Sequence, residues 1–345
     1  MNQHQPMKNS YKAVEVTSPG VFNLVERRIT DPGAGQVRIR VDSCGVCHSD
    51  SVTVENSLPG IIYPRVPGHE IAGRIEAVGK GVVNWEVGQR VGVGWFGGEC
   101  GYCEPCRRGD IVNCANLIIS GITTDGGYAE VVIAEARALA SIPQDLSAVD
   151  VAPLICAGLT TFNALRNSKL RAGDLVAIQG IGGLGHLALQ FASRMGFHTL
   201  AIQRGKEKEK LARQLGAHEY IDSTEQNPAE ALLKMGGANA ILATAASGKS
   251  MGPLVGGLAA RGKLVVVGAS AEPIEINATQ LIFGSKTIQG EQVGTPIDEE
   301  DTLKFSALQG IRPMIETMPL EKAPEAYARM MSGKARFRIV LTMPQ

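Results

Sequence analysis

Leu175-Val176-Ala177-Ile178-Gln179-Gly180-Ile181-Gly182-Gly183-Leu184-Gly185 is the stretch on which the fold turns. Its first five residues are uncharged and read as a buried strand; residues 184–195 carry a helical pattern behind it. Between them Gly180, Gly182 and Gly185 satisfy G-x-G-x-x-G, with Gly183 and Leu184 completing the loop. Glycines permit the tight turn and a close approach of backbone to pyrophosphate. The helix N-terminus supplies unpaired N–H groups and a positive dipole end. A glycine-rich strand–helix turn can also be purely structural. Its place inside a strand–helix–strand unit points to dinucleotide binding.

The rhythm continues on both sides of that loop. Apolar runs at 199–202, 240–244 and 263–267 alternate with helical stretches such as 206–215. Unbroken apolar strands between helices predict a parallel sheet covered on both faces. Before Asp150 the texture differs. Val14 and the runs 37–41, 71–78 and 128–133 are short β patterns broken by Gly and Pro turns. After Glu291 come an acidic helix start at 298–301, a helix around 324–331 and a strand at 337–342. The expected class is α/β. A mostly-β domain from 1–152 and 291–345 encloses a doubly wound, Rossmann-type cofactor domain at 153–290.

The second strand of the α/β block ends Ile202-Gln203-Arg204-Gly205-Lys206. An acidic residue there would bond the ribose 2′-hydroxyl of NAD. Gln203 stands in its place, and Arg204 and Lys206 could pair with a 2′-phosphate. This favours NADP(H) over NAD(H). In the alternative, both cations are solvated and Gln203 alone holds an NAD ribose.

A chain of 345 residues predicts two domains. Lys and Arg total 34 against 34 Asp and Glu, so no general electrostatic case exists for nucleic acid or an anionic membrane. No apolar run reaches the roughly 18 residues of a membrane span. Met1 to Ser10 is polar, reads as a loose extension, and lacks the apolar segment of a secretory signal. A cytoplasmic protein is expected. The seven cysteines are an odd count for a disulfide scaffold. Cys100, Cys103, Cys106 and Cys114 offer four soft ligands on one loop, which suits a closed, structural Zn²⁺ site. An iron–sulfur cluster also accepts four cysteines. Cys47, His69 and Cys156 form a looser set that spacing does not assemble. A histidine after Pro-Gly also serves turns, and Cys156 in its apolar setting also fits a core.

Taken together, Cys47-His48-Ser49-Asp50, Gly68-His69-Glu70, the four-cysteine loop, Cys156-Ala157-Gly158-Leu159-Thr160-Thr161, the glycine loop and Arg338-Ile339-Val340 stand in the order of a known family. From about Tyr11 to Met343 the chain resembles the zinc-dependent medium-chain alcohol dehydrogenases, with a GroES-like catalytic domain. That resemblance implies two Zn²⁺ per subunit. The catalytic one would be held by Cys47, His69 and Cys156, and the structural one by the four-cysteine loop. It implies Glu70 as a carboxylate that approaches the metal, Asp50 as acceptor for the other nitrogen of His69, and Ser49 as the hydroxyl that starts proton release. His48 and Arg338 would contact cofactor phosphate, and Thr160 the nicotinamide side, with Val267 and Gly268 beside the carboxamide. Trp95 would wall the substrate pocket. Many relatives place a proton-relay histidine where this chain has Val52. The implied reaction is reversible hydride transfer between primary or secondary alcohols and NAD(P). An NADPH-dependent aryl or cinnamyl-type aldehyde reductase of the same family is the alternative. The partners implied are a small alcohol or aldehyde and other copies of the chain, as a homodimer or homotetramer assembled near 287–290.

Overall fold

Five consecutive buried residues make Leu175–Gln179 a strand with no solvent face, the pattern of a central parallel strand covered on both sides. It lies third in a six-stranded sheet. Beside it on one side are His198–Gln203 and then Glu219–Asp222; on the other are Ala238–Ala243, Leu258–Val266 and Thr287–Gly290. All pairings are parallel. Numbered within this block, the order is 3-2-1-4-5-6, the doubly wound arrangement in which ligands bind beyond the carboxyl ends of the strands at the reversal point. Helix Gly185–Arg194 follows the first strand. It ends before Gly196, whose φ of +84° suits a residue without Cβ. Ile178, Leu200, Ile241 and Leu264, on four neighbouring strands, are essentially inaccessible.

The β-rich part is built on the long strand Gln36–Val46. Val37, Ile39 and Val41 alternate inward with polar residues, as a half-buried strand demands. Its neighbours run Ile315–Pro319, Arg338–Thr342, Gln36–Val46, Ile71–Val78, Arg90–Val93 and Ala140–Ser141, with Val131–Glu135 also pairing on Gln36–Val46. The final strand therefore sits inside this sheet, and helix Ala323–Met331 adds Ala323 and Ala326 to the same core. Two hairpins stand apart: Ser10–Ser18 with Val21–Arg28, and Phe96–Gly98 with Ile118–Ile119, which brackets the four-cysteine loop.

The computed structural model describes residues 9–344. They divide into two units. One comprises residues 9–156, 294–307 and 314–344, and the other Ala157–Val293 and Leu308–Pro313. The reading of Met1 to Ser10 as a loose extension lies outside the described residues up to Lys8. Ser10 corrects it, because it already pairs with Arg28 in the first hairpin. The expectation of no long apolar segment is also amended. Among the described residues the helical stretch Ala148–Asn167 is long and apolar enough to span a bilayer, but 72% of its apolar window is buried inside the protein.

Candidate functional site

Strand pairing assembles the set that spacing could not. Gln36–Val46 ends one residue before Cys47, and Ile71–Val78 begins one residue after Glu70. The two run antiparallel with Cys44 opposite Ile71, and the Gly45 N–H donates to the Glu70 carbonyl at 2.9 Å. Cys47 and His69 therefore meet at one corner of the sheet. Ile339 opposite Val46 delivers Arg338 to the same corner. Gly45 must lack a Cβ, which would overlap the Glu70 carboxylate. Cys156 comes from far along the chain, on the π-helical turn Leu154–Gly158; π turns inside α-helices often mark functional positions.

One ligand atom each from Cys47, His69, Glu70 and Cys156 lies within 4.8 Å of the others. The Cys47 and Cys156 Sγ atoms are 3.8 Å apart, and Cys156 Sγ is 3.5 Å from His69 Nε2. Tetrahedral zinc, with bonds of about 2.3 Å to sulfur and about 2.0–2.1 Å to nitrogen, spaces such donors by about 3.8 and 3.6 Å. The donor set fits the ion. The contact with Cys156, together with His69, holds the Cys47 thiol well below its ordinary value. A thiolate is the form that ligates.

Asp50, only 2% exposed, places one carboxylate oxygen 3.0 Å from His69 Nδ1. Its other oxygen accepts the Cys47 N–H at 2.9 Å. Burial opposes charge on His69, but Asp50 and Cys47 outweigh it and raise the imidazole pKa. Burial pushes the Glu70 carboxyl up to about 7 despite the adjacent Arg338 guanidinium. Arg338 is buried and ion-paired to Glu70. The Trp95 ring meets the His69 imidazole edge-on, with centroids 5.1 Å apart. Ser49 is half-buried and His48 exposed on the turn after Cys47.

In the four-cysteine loop the sulfurs of Cys103 and Cys106, Cys100 and Cys114, and Cys103 and Cys114 lie 3.3, 3.6 and 3.8 Å apart. The last two are close to the spacing of tetrahedral zinc, and the first is tighter. Hydrogen bonding from the Tyr102 backbone lowers the Cys100 thiol to about 6, while burial pushes Cys106 up to about 12. Cys44, the seventh cysteine, is fully buried and belongs to the core.

The cofactor candidates of the α/β unit gather at the carboxyl edge of its sheet. Gly180 has φ +89°, a Cβ at Gly185 would overlap the Gly180 carbonyl, and Gly182 faces open space. That is the cradle a pyrophosphate needs. Gln203 Oε1 accepts the Ile181 N–H at 2.9 Å. Arg204 and Lys206 are exposed. Asp222, in register with Gln203, accepts the Gly205 N–H at 2.8 Å and fixes that turn. Val267 and Gly268 both donate their N–H to the Ala243 carbonyl, at 3.1 and 3.0 Å. Thr160 lies half-buried on helix Leu159–Asn167, and the Phe162 ring of that helix packs on Phe191 of Gly185–Arg194.

Three residues had no sequence signal. Lys208 Nζ donates to the Ile181 carbonyl at 2.6 Å, so a third cation joins the loop. The Tyr128 hydroxyl donates to Asp50; the residue had read only as part of a β run. Glu299 had read as one of several acids at a helix start. It is fully buried, with its carboxyl against the Gly94 backbone.

Comparison with known proteins agrees with this geometry. Residues 33–144 match the family model described as alcohol dehydrogenase GroES-like domain, and residues 183–307 the model described as zinc-binding dehydrogenase. The chain is 43% identical to the alcohol dehydrogenase patD of Penicillium expansum, over 97% of this chain and 98% of that one. It is 39% identical to an alcohol dehydrogenase of Geobacillus stearothermophilus, over 90% and 92%. A solved cinnamyl alcohol dehydrogenase of Sorghum bicolor superposes with a TM-score of 0.86 at 30% identity, covering 96% and 97%. With both metal-type donor sets intact, the chain belongs to the zinc-type medium-chain alcohol dehydrogenases.

Proposed function

We propose that this oxidoreductase interconverts primary or secondary alcohols with aldehydes or ketones, uses NADP(H) in preference to NAD(H), and carries two zinc ions per subunit. The observation that carries the reading is the buried donor set. Cys47, His69 and Cys156 are three protein donors at zinc spacing. The metalloenzyme pattern keeps a fourth position for substrate. Zinc held there would supply Lewis-acid chemistry for an alcohol oxygen. Bound nicotinamide would accept or return the hydride.

The chain's own residues do the rest. Ser49 takes the alcohol proton. Val52 offers no titratable group, so the proton leaves by the exposed His48 or through the cofactor ribose and water. Arg338 holds Glu70 beside the donor set, where its carboxylate could approach a bound metal. Trp95 walls the pocket, and Thr160, Val267 and Gly268 seat the nicotinamide. The glycine loop takes the pyrophosphate, while Arg204, Lys206 and Lys208 face a 2′-phosphate. The edge strand Thr287–Gly290, with Ile282 and Phe283 exposed just before it, is the surface for a homodimer or homotetramer.

A second reading, an aryl or cinnamyl-type aldehyde reductase, is favoured by the aromatic Trp95 wall and by likeness to the sorghum enzyme. Steady-state kinetics with NADPH and NADH across aliphatic and aromatic aldehydes test both. We expect a higher kcat/KM with NADPH. Equal or better turnover with NADH would overturn the cofactor assignment, and the better aldehyde class decides between the two substrate readings.

A further inference from the structure

Tyr128 has no exposed surface. Its ring fills space left by Gly68, where a Cβ would overlap it. A phenylalanine would satisfy that packing equally, so the hydroxyl needs its own account. It donates to Asp50 Oδ2 at 2.8 Å. The same oxygen accepts the Cys47 N–H, and Oδ1 faces His69 Nδ1. One buried carboxylate thus ties the backbone of one metal ligand to the imidazole of another. A carboxylate so deeply buried needs its lone pairs occupied, and charge-assisted bonds fix its orientation. Without the phenol, Oδ2 keeps only the Cys47 N–H, and the plane that aims Oδ1 at His69 loses its second anchor. His69 must keep Nδ1 protonated for Nε2, 3.5 Å from Cys156 Sγ, to offer a lone pair to a metal.

We propose that Tyr128 is a positioning residue of the buried metal centre, acting through Asp50 to hold His69 and Cys47 in ligating geometry. This rests on the reading of Cys47, His69 and Cys156 as zinc ligands. The test is chelator-driven zinc release from purified Tyr128→Phe and wild type, each loaded with zinc. The ion absent from Cys156→Ala marks the buried site, and the four-cysteine ion serves as internal reference. Partners behind a ligating histidine usually affect metal affinity by about 10–100-fold. We expect Tyr128→Phe to release the buried ion about tenfold faster and the four-cysteine ion at the wild-type rate. The visible ligand-field bands of the buried site should also shift in the cobalt-substituted protein. Unchanged release, or an unchanged cobalt spectrum, with both ions present in wild type would overturn the proposal alone. Equal acceleration of both ions with a lower melting temperature would assign Tyr128 to core packing and overturn it too. A wild-type protein without the Cys156-dependent ion would overturn the metal reading itself, and this proposal with it.

Discussion

The β-rich unit holds two sulfur-rich clusters that were made in opposite ways. The four-cysteine set spans fifteen residues of one hairpin loop, and of its residues only Cys114 is buried. Tyr102, between two of its ligands, is 72% exposed. Such a loop has almost no core, so an ion there substitutes for hydrophobic packing. The Cys47, His69 and Cys156 set is drawn from three separate segments, its first and last members 109 positions apart. Cys47 and His69 are buried and Cys156 is half-buried, and the set is held by strand register, a π turn and the Asp50 hydrogen bonds. Here strand register and hydrogen bonds already gather the donors, so an ion would meet a site that the fold has shaped. On the proposed reading, the difference is that between a metal that would serve folding and a metal that would serve chemistry.

Breaking each set should therefore give opposite phenotypes. Cys156→Ala should lower kcat by about 10³-fold or more, since Lewis-acid stabilisation is worth several kcal/mol. Metal analysis should find one zinc fewer, with circular dichroism unchanged. Cys103→Ser should instead lower the melting temperature and expose the 100–114 loop to protease, while the buried ion stays bound. A Cys103→Ser protein as stable as wild type would end the contrast.

The same contrast explains what could be read from the sequence. The four-cysteine loop was legible because its ligands are neighbours in the chain. The Leu175–Gln179 strand and its glycine loop were legible because a fully buried parallel strand advertises itself by composition. The buried set was legible only through family resemblance, because the pairing of Cys44 with Ile71 and of Val46 with Ile339 is a property of register. Tyr128 and Glu299 were hidden because their partners lie far off in the chain. One read as part of a β run and the other as one of several acids at a helix start. The strand Glu219–Asp222, with Glu219 and Asp222 at its ends, carried too little apolar pattern to read as part of a sheet.

The α/β unit offers a smaller effect. Arg204→Asp places a carboxylate where a 2′-phosphate is proposed to lie. A charge-assisted hydrogen bond is worth roughly 1.5–3 kcal/mol, so the NADPH-to-NADH ratio of kcat/KM should fall about tenfold or more. The turn should survive, because Asp222 holds it through the Gly205 backbone rather than through Arg204. An unchanged ratio would return Arg204 to the surface cations and leave Gln203 holding an NAD ribose.

The smallest expected effect is a difference in alkali sensitivity between the two clusters, through Glu299. The Glu299 carboxyl lies against Gly94, whose absent Cβ would also press on the Ile155 carbonyl. Gly94 precedes Trp95, and Ile155 precedes Cys156, so Glu299 underlies two segments of the site. Burial pushes its pKa well above the carboxylate range. The neighbouring Asp298 and Glu300 add to the rise, and the Gly94 backbone eases it only in part. The sign follows from linkage. The unfolded chain releases this proton near pH 4.5 and the folded chain keeps it to much higher pH. Stability from Glu299 is therefore full below about pH 4.5 and is lost progressively as pH rises toward the folded value. Glu299→Gln presents a neutral group of the same shape and has no proton to lose. Its melting temperature relative to wild type should climb by roughly 2–3 °C per pH unit from about pH 5 upward. Zinc release from the buried site should lose alkaline sensitivity in parallel, and release from the four-cysteine loop should not change. A wild-type minus variant difference that stays flat from pH 5 to 9 would mean that Glu299 is ionised in the fold with a counter-charge of its own.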